Sequence, residues 1–172
     1  TFCERIWESG EKRSAAGQKK KYGRKRYRMV RKAEKADEKV LAKLAAPLWG
    51  RRPARDRQEM FRRLLAEEDT VFFLCLEEET PVGFAQCRLR RDPVPGAKSL
   101  PAGCLETLFV REESRRKSHG RELLATCEDW ARESGCLELI VNCRIDGIEG
   151  LCFCMAERFQ ETDRLVCFAK KL

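Results

Sequence analysis

The sequence is poor in the side chains that hold metals and short of the runs that cross membranes. Histidine occurs once, at position 119, and no C-x-x-C pair is present. A zinc centre with ordinary ligand spacing is therefore not expected, and no metal is assigned. Uncharged apolar runs such as residues 71–76 reach only six residues, against about 20 needed for a membrane-spanning helix. No membrane association is expected. Aromatic residues make up 8% of the chain, and 11 glycines and 6 prolines in 172 residues exclude collagen-like or low-complexity architecture. No apolar targeting stretch is seen at the start. The ten cysteines (Cys3, Cys75, Cys87, Cys104, Cys127, Cys136, Cys143, Cys152, Cys154 and Cys167) are accordingly expected as reduced thiols of a cytoplasmic protein. Most of them fall within apolar stretches and are expected as small core residues.

Acidic residues are outnumbered, and unevenly. The formal charge is +8, but residues 1–28 hold ten Lys/Arg against three Glu, or +7, which leaves 26 against 25, or +1, for residues 29–172. The basic character belongs to the N-terminal extension. That stretch lacks a sustained apolar period and reads as disordered. With Tyr22 and Tyr27 inside its basic run, it is also the one part suited to binding nucleic acid, through phosphate neutralisation and stacking. Residues 29–172 read as a single domain, long enough to bury a core.

Within that domain, residues 27–32 alternate as a first strand. Val40, Leu41, Leu44, Ala45 and Leu48 recur at helical spacing up to Trp49. Pro53 opens a second helix with Met60, Phe61, Leu64 and Leu65 on one face. Residues 71–90 read as two strands joined by a polar turn at 77–80, a hairpin. Residues 92–103 are a Pro/Gly-rich loop, and 104–110 form the next strand. A helix follows with Leu123, Leu124, Cys127, Trp130 and Ala131 on its apolar face and Gly135 at its end. Residues 137–143 are a buried-looking strand, 148–156 a short helix, and 164–172 a final strand. The order is that of an α/β (α+β) fold, a mixed sheet of about six or seven strands flanked by about four helices.

The connection RRKSHG (Arg115, Arg116, Lys117, Ser118, His119, Gly120) joins a strand to a helix start. The free N–H groups of a first helical turn and the helix dipole favour an anion there. Glycine in such a turn lets a phosphate approach the backbone closely. Residues 103–110 (GCLETLFV), 112–136 and 157–172, supported by PVGFAQCRLRRD and LAAPLW, resemble the Gcn5-related N-acetyltransferases, and among them the aminoglycoside 6'-N-acetyltransferases. The resemblance covers residues 29–172. The superfamily motif Arg/Gln-x-x-Gly-x-Gly/Ala is met by residues 115–120, with Ser118 in place of the first glycine.

The resemblance implies acetyl-CoA as cofactor, its pyrophosphate on the N–H groups of Arg116, Lys117, Ser118, His119, Gly120 and Arg121 beside the charge of Arg115. The pantetheine arm would lie along Thr107, Leu108, Phe109 and Val110, where this family splays two strands apart. It further implies direct attack of an amine on the thioester, with the Leu108 N–H facing the developing oxyanion and Glu106 taking a proton or holding the ammonium. His119 would be a turn residue with no catalytic part. The amine would be the 6'-amine of an aminoglycoside, held by Trp49, Glu106, Asn142 and Asp163 (or Glu161). A homodimer is common among such proteins, and Cys143, Cys152, Cys154 and Cys167 are candidates to line its interface or to be core. Departures fall at Asn142 (usually Asp), Gly147 (Asn), Gly150 (Ser), Cys154 (His), Arg158-Phe159 (Gly-Phe) and Pro93 (an aromatic). Cys154 is either a proton donor to the leaving thiolate or a core thiol. Two other readings stay open: an acetyltransferase for a polyamine, metabolite or protein lysine, and a degenerate non-catalytic domain with an RNA-binding tail.

Overall fold

The architecture was taken from a computed structural model, which describes residues 28–49 and 51–171. The extension, with Cys3, Tyr22 and Tyr27, lies outside the described residues. Elements run β1 (Arg28–Lys32), α1 (Glu38–Leu44), α2 (Ala54–Leu64), β2 (Thr70–Glu77), β3 (Thr80–Arg90), β4 (Ala102–Val110), α3 (His119–Glu133), β5 (Leu139–Val141) and α4 (Ile148–Ala156). One five-stranded sheet has the order β1-β2-β3-β4-β5. The first four strands are antiparallel, and β5 joins β4 in parallel after the crossover through α3.

The run at 71–76 is apolar on every residue because both faces of β2 are covered. Val71, Phe73 and Cys75 pack with Leu123, Leu124 and Cys127 of α3. Phe72 and Leu74 point the other way, to Leu41 and Leu44 of α1, Phe61 of α2, and Phe84 and Phe109. The β2–β3 hairpin turns on Glu78 and Glu79, both with positive φ (51° and 67°). Two successive left-handed residues match strand twist in a two-residue turn, a conformation that Asn-Gly supplies more cheaply. At the start of α1, Asp37 accepts two hydrogen bonds from Arg31, at 2.7 and 2.8 Å, and one from the Glu34 N–H. The bond from Arg31 holds the Asp37 carboxyl below the usual range. Gly135 ends α3 as expected: with φ 78° it lets its own N–H reach the Arg132 carbonyl and the Cys136 N–H reach Ala131.

Two expectations are corrected. Among the described residues the sheet has five strands, not six or seven, because the expected closing strand is not seen there: residues 157–171 contain no strand and 160–171 are exposed. Leu165, Val166 and Phe168 there are 61%, 77% and 93% exposed. They pair with no sheet edge among the described residues, although the outer side of β5 is open. The strand at 137–143 shrinks to Leu139–Val141, half-exposed rather than buried. Of the cysteines, Cys75, Cys87, Cys104, Cys127 and Cys136 are core residues, whereas Cys143, Cys152 and Cys167 are exposed and Cys154 is half-buried.

Candidate active site

The site begins with an irregularity in β4. Gln86 of β3 faces Thr107, but the next residue, Cys87, faces Leu105, so Glu106 is an extra residue, a β-bulge. It is exposed. On the other edge, β4 pairs with β5 only as far as Leu105 opposite Val141. Beyond that point the two strands part, and residues 106–110 keep β3 on one side and a gap on the other.

Backbone parity shows which groups face the gap. The Arg111 N–H bonds Val82 of β3 at 2.8 Å. By alternation, Phe109 also turns its peptide groups to β3, while those of Leu108 and Val110 point to the opposite edge. The Val110 carbonyl there accepts Arg115 Nε at 3.2 Å. The Leu108 N–H lies on that same edge, one pleat away.

The turn between β4 and α3 is the candidate anion cradle. Arg116 and Ser118 are left-handed, at φ 62° and 67°, immediately ahead of the helix start at His119. Ser118 therefore stands where a glycine would be unstrained. It is the N-terminal flanking residue of α3, is exposed, and makes no side-chain capping bond. Gly120 follows in the first turn, and a Cβ there would lie 3.2 Å from the Phe153 ring and 3.7 Å from Leu108. The cationic side chains are drawn to α4: Arg115 pairs with Glu149 at 3.2 Å and Arg121 with Glu157 at 3.0 Å. Lys117 lies 3.4 Å from Glu77 of β2.

His119 departs from its expected setting. Its backbone belongs to the cradle, but its side chain is buried and turned into the sheet. Nδ1 lies 3.4 Å from the Cys75 sulfur and Nε2 3.7 Å from a Glu77 oxygen, beyond hydrogen-bond range. This imidazole fixes the start of α3 on β2.

On the acceptor side, Trp49 is half-buried and its ring lies 5.8 Å from that of Phe61, so much of it belongs to the second core. Asn142 is exposed immediately after β5. Asp163 is exposed in the closing segment, where it accepts the Arg164 N–H at 2.7 Å, and Glu161 pairs with Arg164. Pro93 is exposed in the loop before β4, a loop held by Glu138 through the N–H groups of Lys98 and Ser99 at 2.7 and 3.0 Å. The structure brings Leu108, Arg115 and Gly120 together around the gap; it leaves Asp163 on an unpaired strand-like segment. Cys154 is held protonated, pushed up to about 12 by burial and by its bond with Cys143, so it is a poor proton source for a thiolate.

The sequence model of the acetyltransferase (GNAT) family matches residues 31–147. This chain belongs to that family. The aminoglycoside N(6')-acetyltransferase type 1 of Stenotrophomonas maltophilia is 36% identical over 145 residues, covering 83% of this chain and 93% of the relative. The protein of the same name from Serratia marcescens is 32% identical over 130 residues, covering 75% and 89%. Among solved structures, aminoglycoside N-acetyltransferase AAC(6')-Iy in complex with CoA superposes with a TM-score of 0.82 at 23% identity, covering 87% of this chain and 98% of that one. AAC(6')-IG from Acinetobacter haemolyticus gives 0.77 at 25% identity, covering 84% and 99%.

Glu149, Phe153 and Glu157 were not anticipated as neighbours of the cradle in this GNAT chain. Their spacing of four residues puts Glu149 and Phe153 on one face of α4, with Glu157, the residue that ends the helix, in line with them, and that face meets Arg115, Gly120 and Arg121. The periodicity was visible in the sequence, but nothing in it named the surface it meets.

Proposed function

We propose that this chain transfers an acetyl group from acetyl-CoA to the 6'-amine of an aminoglycoside by direct attack on the thioester. The observation that carries this reading is the bulged, splayed β4, whose Leu108 N–H faces a gap leading to a left-handed turn at a helix start. Relatives named as aminoglycoside N(6')-acetyltransferases, matched over most of their length, support the acceptor.

The residues fit the coenzyme. Arg116 and Ser118 are already left-handed, Gly120 keeps the first helical turn free of a side chain, and the N–H groups of residues 116–121 supply donors to a pyrophosphate. Arg115, Lys117 and Arg121 supply charge, and the exposed edge of Leu108, Phe109 and Val110 receives the pantetheine arm. Acetyl-CoA, when bound, supplies the activated acetyl group. The Leu108 N–H is the donor for charge that develops on the carbonyl oxygen. Glu106, exposed on the bulge, holds the ammonium of the acceptor and takes its proton, directly or through water. Trp49 offers an apolar wall, and Asn142 and Asp163 offer polar contacts to the sugar rings. The exposed Leu165, Val166 and Phe168 support a homodimer in which the closing segment pairs with a second copy, to be checked by light scattering.

The test is calorimetric titration of the full chain with acetyl-CoA, followed by thiol release on adding kanamycin or tobramycin. Binding with drug-dependent release is expected. A second reading, acetylation of a different amine, is favoured by one observation: Asn142 and Pro93 stand where the acceptor wall would otherwise carry a charge and an aromatic ring. Acetyl-CoA binding without release by either drug would select it, and no binding at all would overturn both readings.

A further inference from the structure

Five of the described thiols are sealed in the core, and two others face each other outside it. Cys143 lies in the loop after β5 and is exposed; Cys154, on α4, is half-buried. Their sulfur atoms are 3.5 Å apart and share a hydrogen bond. A disulfide needs about 2.05 Å between sulfurs, about 1.5 Å closer than these two stand. The surroundings permit it, since α4 has no fully buried residue and the only neighbour met by a Cβ at Gly150, on the intervening turn of α4, is the Cys143 sulfur itself, at contact distance of 3.7 Å. Neither thiol serves the acetyl transfer derived above.

We propose that Cys143 and Cys154 are a reversible redox modification site, closing to an intramolecular disulfide by exchange with a low-molecular-weight disulfide. The exposed Cys143, as thiolate, attacks one sulfur of RS–SR and expels RS⁻, giving a mixed disulfide. Cys154, on losing its proton, attacks the Cys143 sulfur and expels the second RS⁻. The two thiol protons end on the two RS⁻, so the protein dithiol is oxidised by two electrons and RS–SR is reduced to two RSH. The new bond closes the loop between β5 and α4. It pins the helix whose Glu149 and Glu157 occupy Arg115 and Arg121, so the oxidised form keeps those carboxylates in competition with a phosphate ligand. This consequence rests on the coenzyme reading of the cradle; the disulfide does not.

The reduced full chain, freed of reductant, is treated with glutathione disulfide and digested with trypsin. Peptides 133–144 and 145–158 are expected joined, two hydrogens lighter than their sum, with fragmentation assigning the bond to residues 143 and 154. The link should persist in C152S and vanish in C143S and C154S. Glutathione adducts on both sulfurs without a link would overturn the proposal, as would a link between copies when isotopically heavy and light chains are mixed. Acetyl-CoA affinity should fall about two- to fivefold on oxidation, the size of an exposed ion-pair effect, and return with dithiothreitol. Unchanged affinity with the link formed would refute the coupling alone, and absence of coenzyme binding in either form would refute the coenzyme reading while leaving the modification site in place.

Discussion

Replacing Ser118 with glycine should stabilise the domain. The residue sits at φ 67°, ψ 2° and makes no capping bond through its side chain, so the substitution removes strain and loses no hydrogen bond. A left-handed non-glycine residue costs about 1–2 kcal/mol. Glycine gains freedom in the unfolded chain that offsets about 0.5–1 kcal/mol of this relief. The difference leaves up to about 1.5 kcal/mol in favour of the variant, with a mid-range of about 0.7 kcal/mol, or a rise in Tm of about 1–3 °C at mid-range for a domain of this size. S118A keeps the strain and should melt with the parent, whereas S118V adds a β-branched side chain to a left-handed backbone and should melt lower. Circular-dichroism melts of the three variants and the parent measure this directly. If S118G melts at or below the parent while S118V matches S118A, the backbone at 118 is not strained and the reasoning fails.

Glu106→Gln should lower turnover by about a hundredfold, the lower range for loss of a general base, and leave acetyl-CoA affinity within a factor of two; parallel losses in both would mean the bulge itself had collapsed. Glu149→Gln removes a carboxylate from Arg115, and acetyl-CoA should bind about twofold tighter by titration calorimetry; weaker binding would show that Glu149 helps to build the cradle. Asp37→Asn leaves Arg31 without its charged partner and should cost about 2 kcal/mol in urea unfolding at neutral pH. The sign with pH follows from the lowered folded-state value of Asp37. Its contribution is complete above the ordinary Asp range and is lost as pH falls through that range to the folded value, where the unfolded chain binds the extra proton. The gap between parent and D37N should therefore narrow below about pH 4, and a constant gap down to pH 2 would contradict the assignment.

Much of the fold could be read ahead of the structure because local signals agreed with tertiary ones. The continuous apolar run at 71–76 required two covered faces, and α3 and the α1–α2 pair cover them. Gly135 marked a helix end because only the left-handed region lets two trailing N–H groups turn back. Residues 148–156 were outlined as α4 with no error at either end. Other features were illegible for stated reasons. Residues 164–172 have a strand's composition, but a strand exists only against a partner edge, and composition does not say which edge, if any, the segment joins; its described residues join none. His119 looked like a turn residue because its backbone is one; the direction of its side chain depends on Cys75 and Glu77, some forty residues earlier. At the site, the basic turn and Glu106 could be proposed from the motif. The bulge that frees Glu106, and the parting of β4 from β5, are properties of register that no residue type announces.

The inward imidazole of His119 carries a consequence for how the protein would report its own ligand. The cradle is mounted on β2, with Lys117 and His119 both meeting Glu77 and His119 also meeting Cys75. A phosphate drawn to the outer face of that turn leans on β2, an interior strand of the sheet. Occupancy at the surface should then be felt as slower amide exchange deep in the sheet, at Leu74 and Cys75, ahead of any change at the closing segment. Ligand affinity and global unfolding would move together, and a melting curve would serve as a titration.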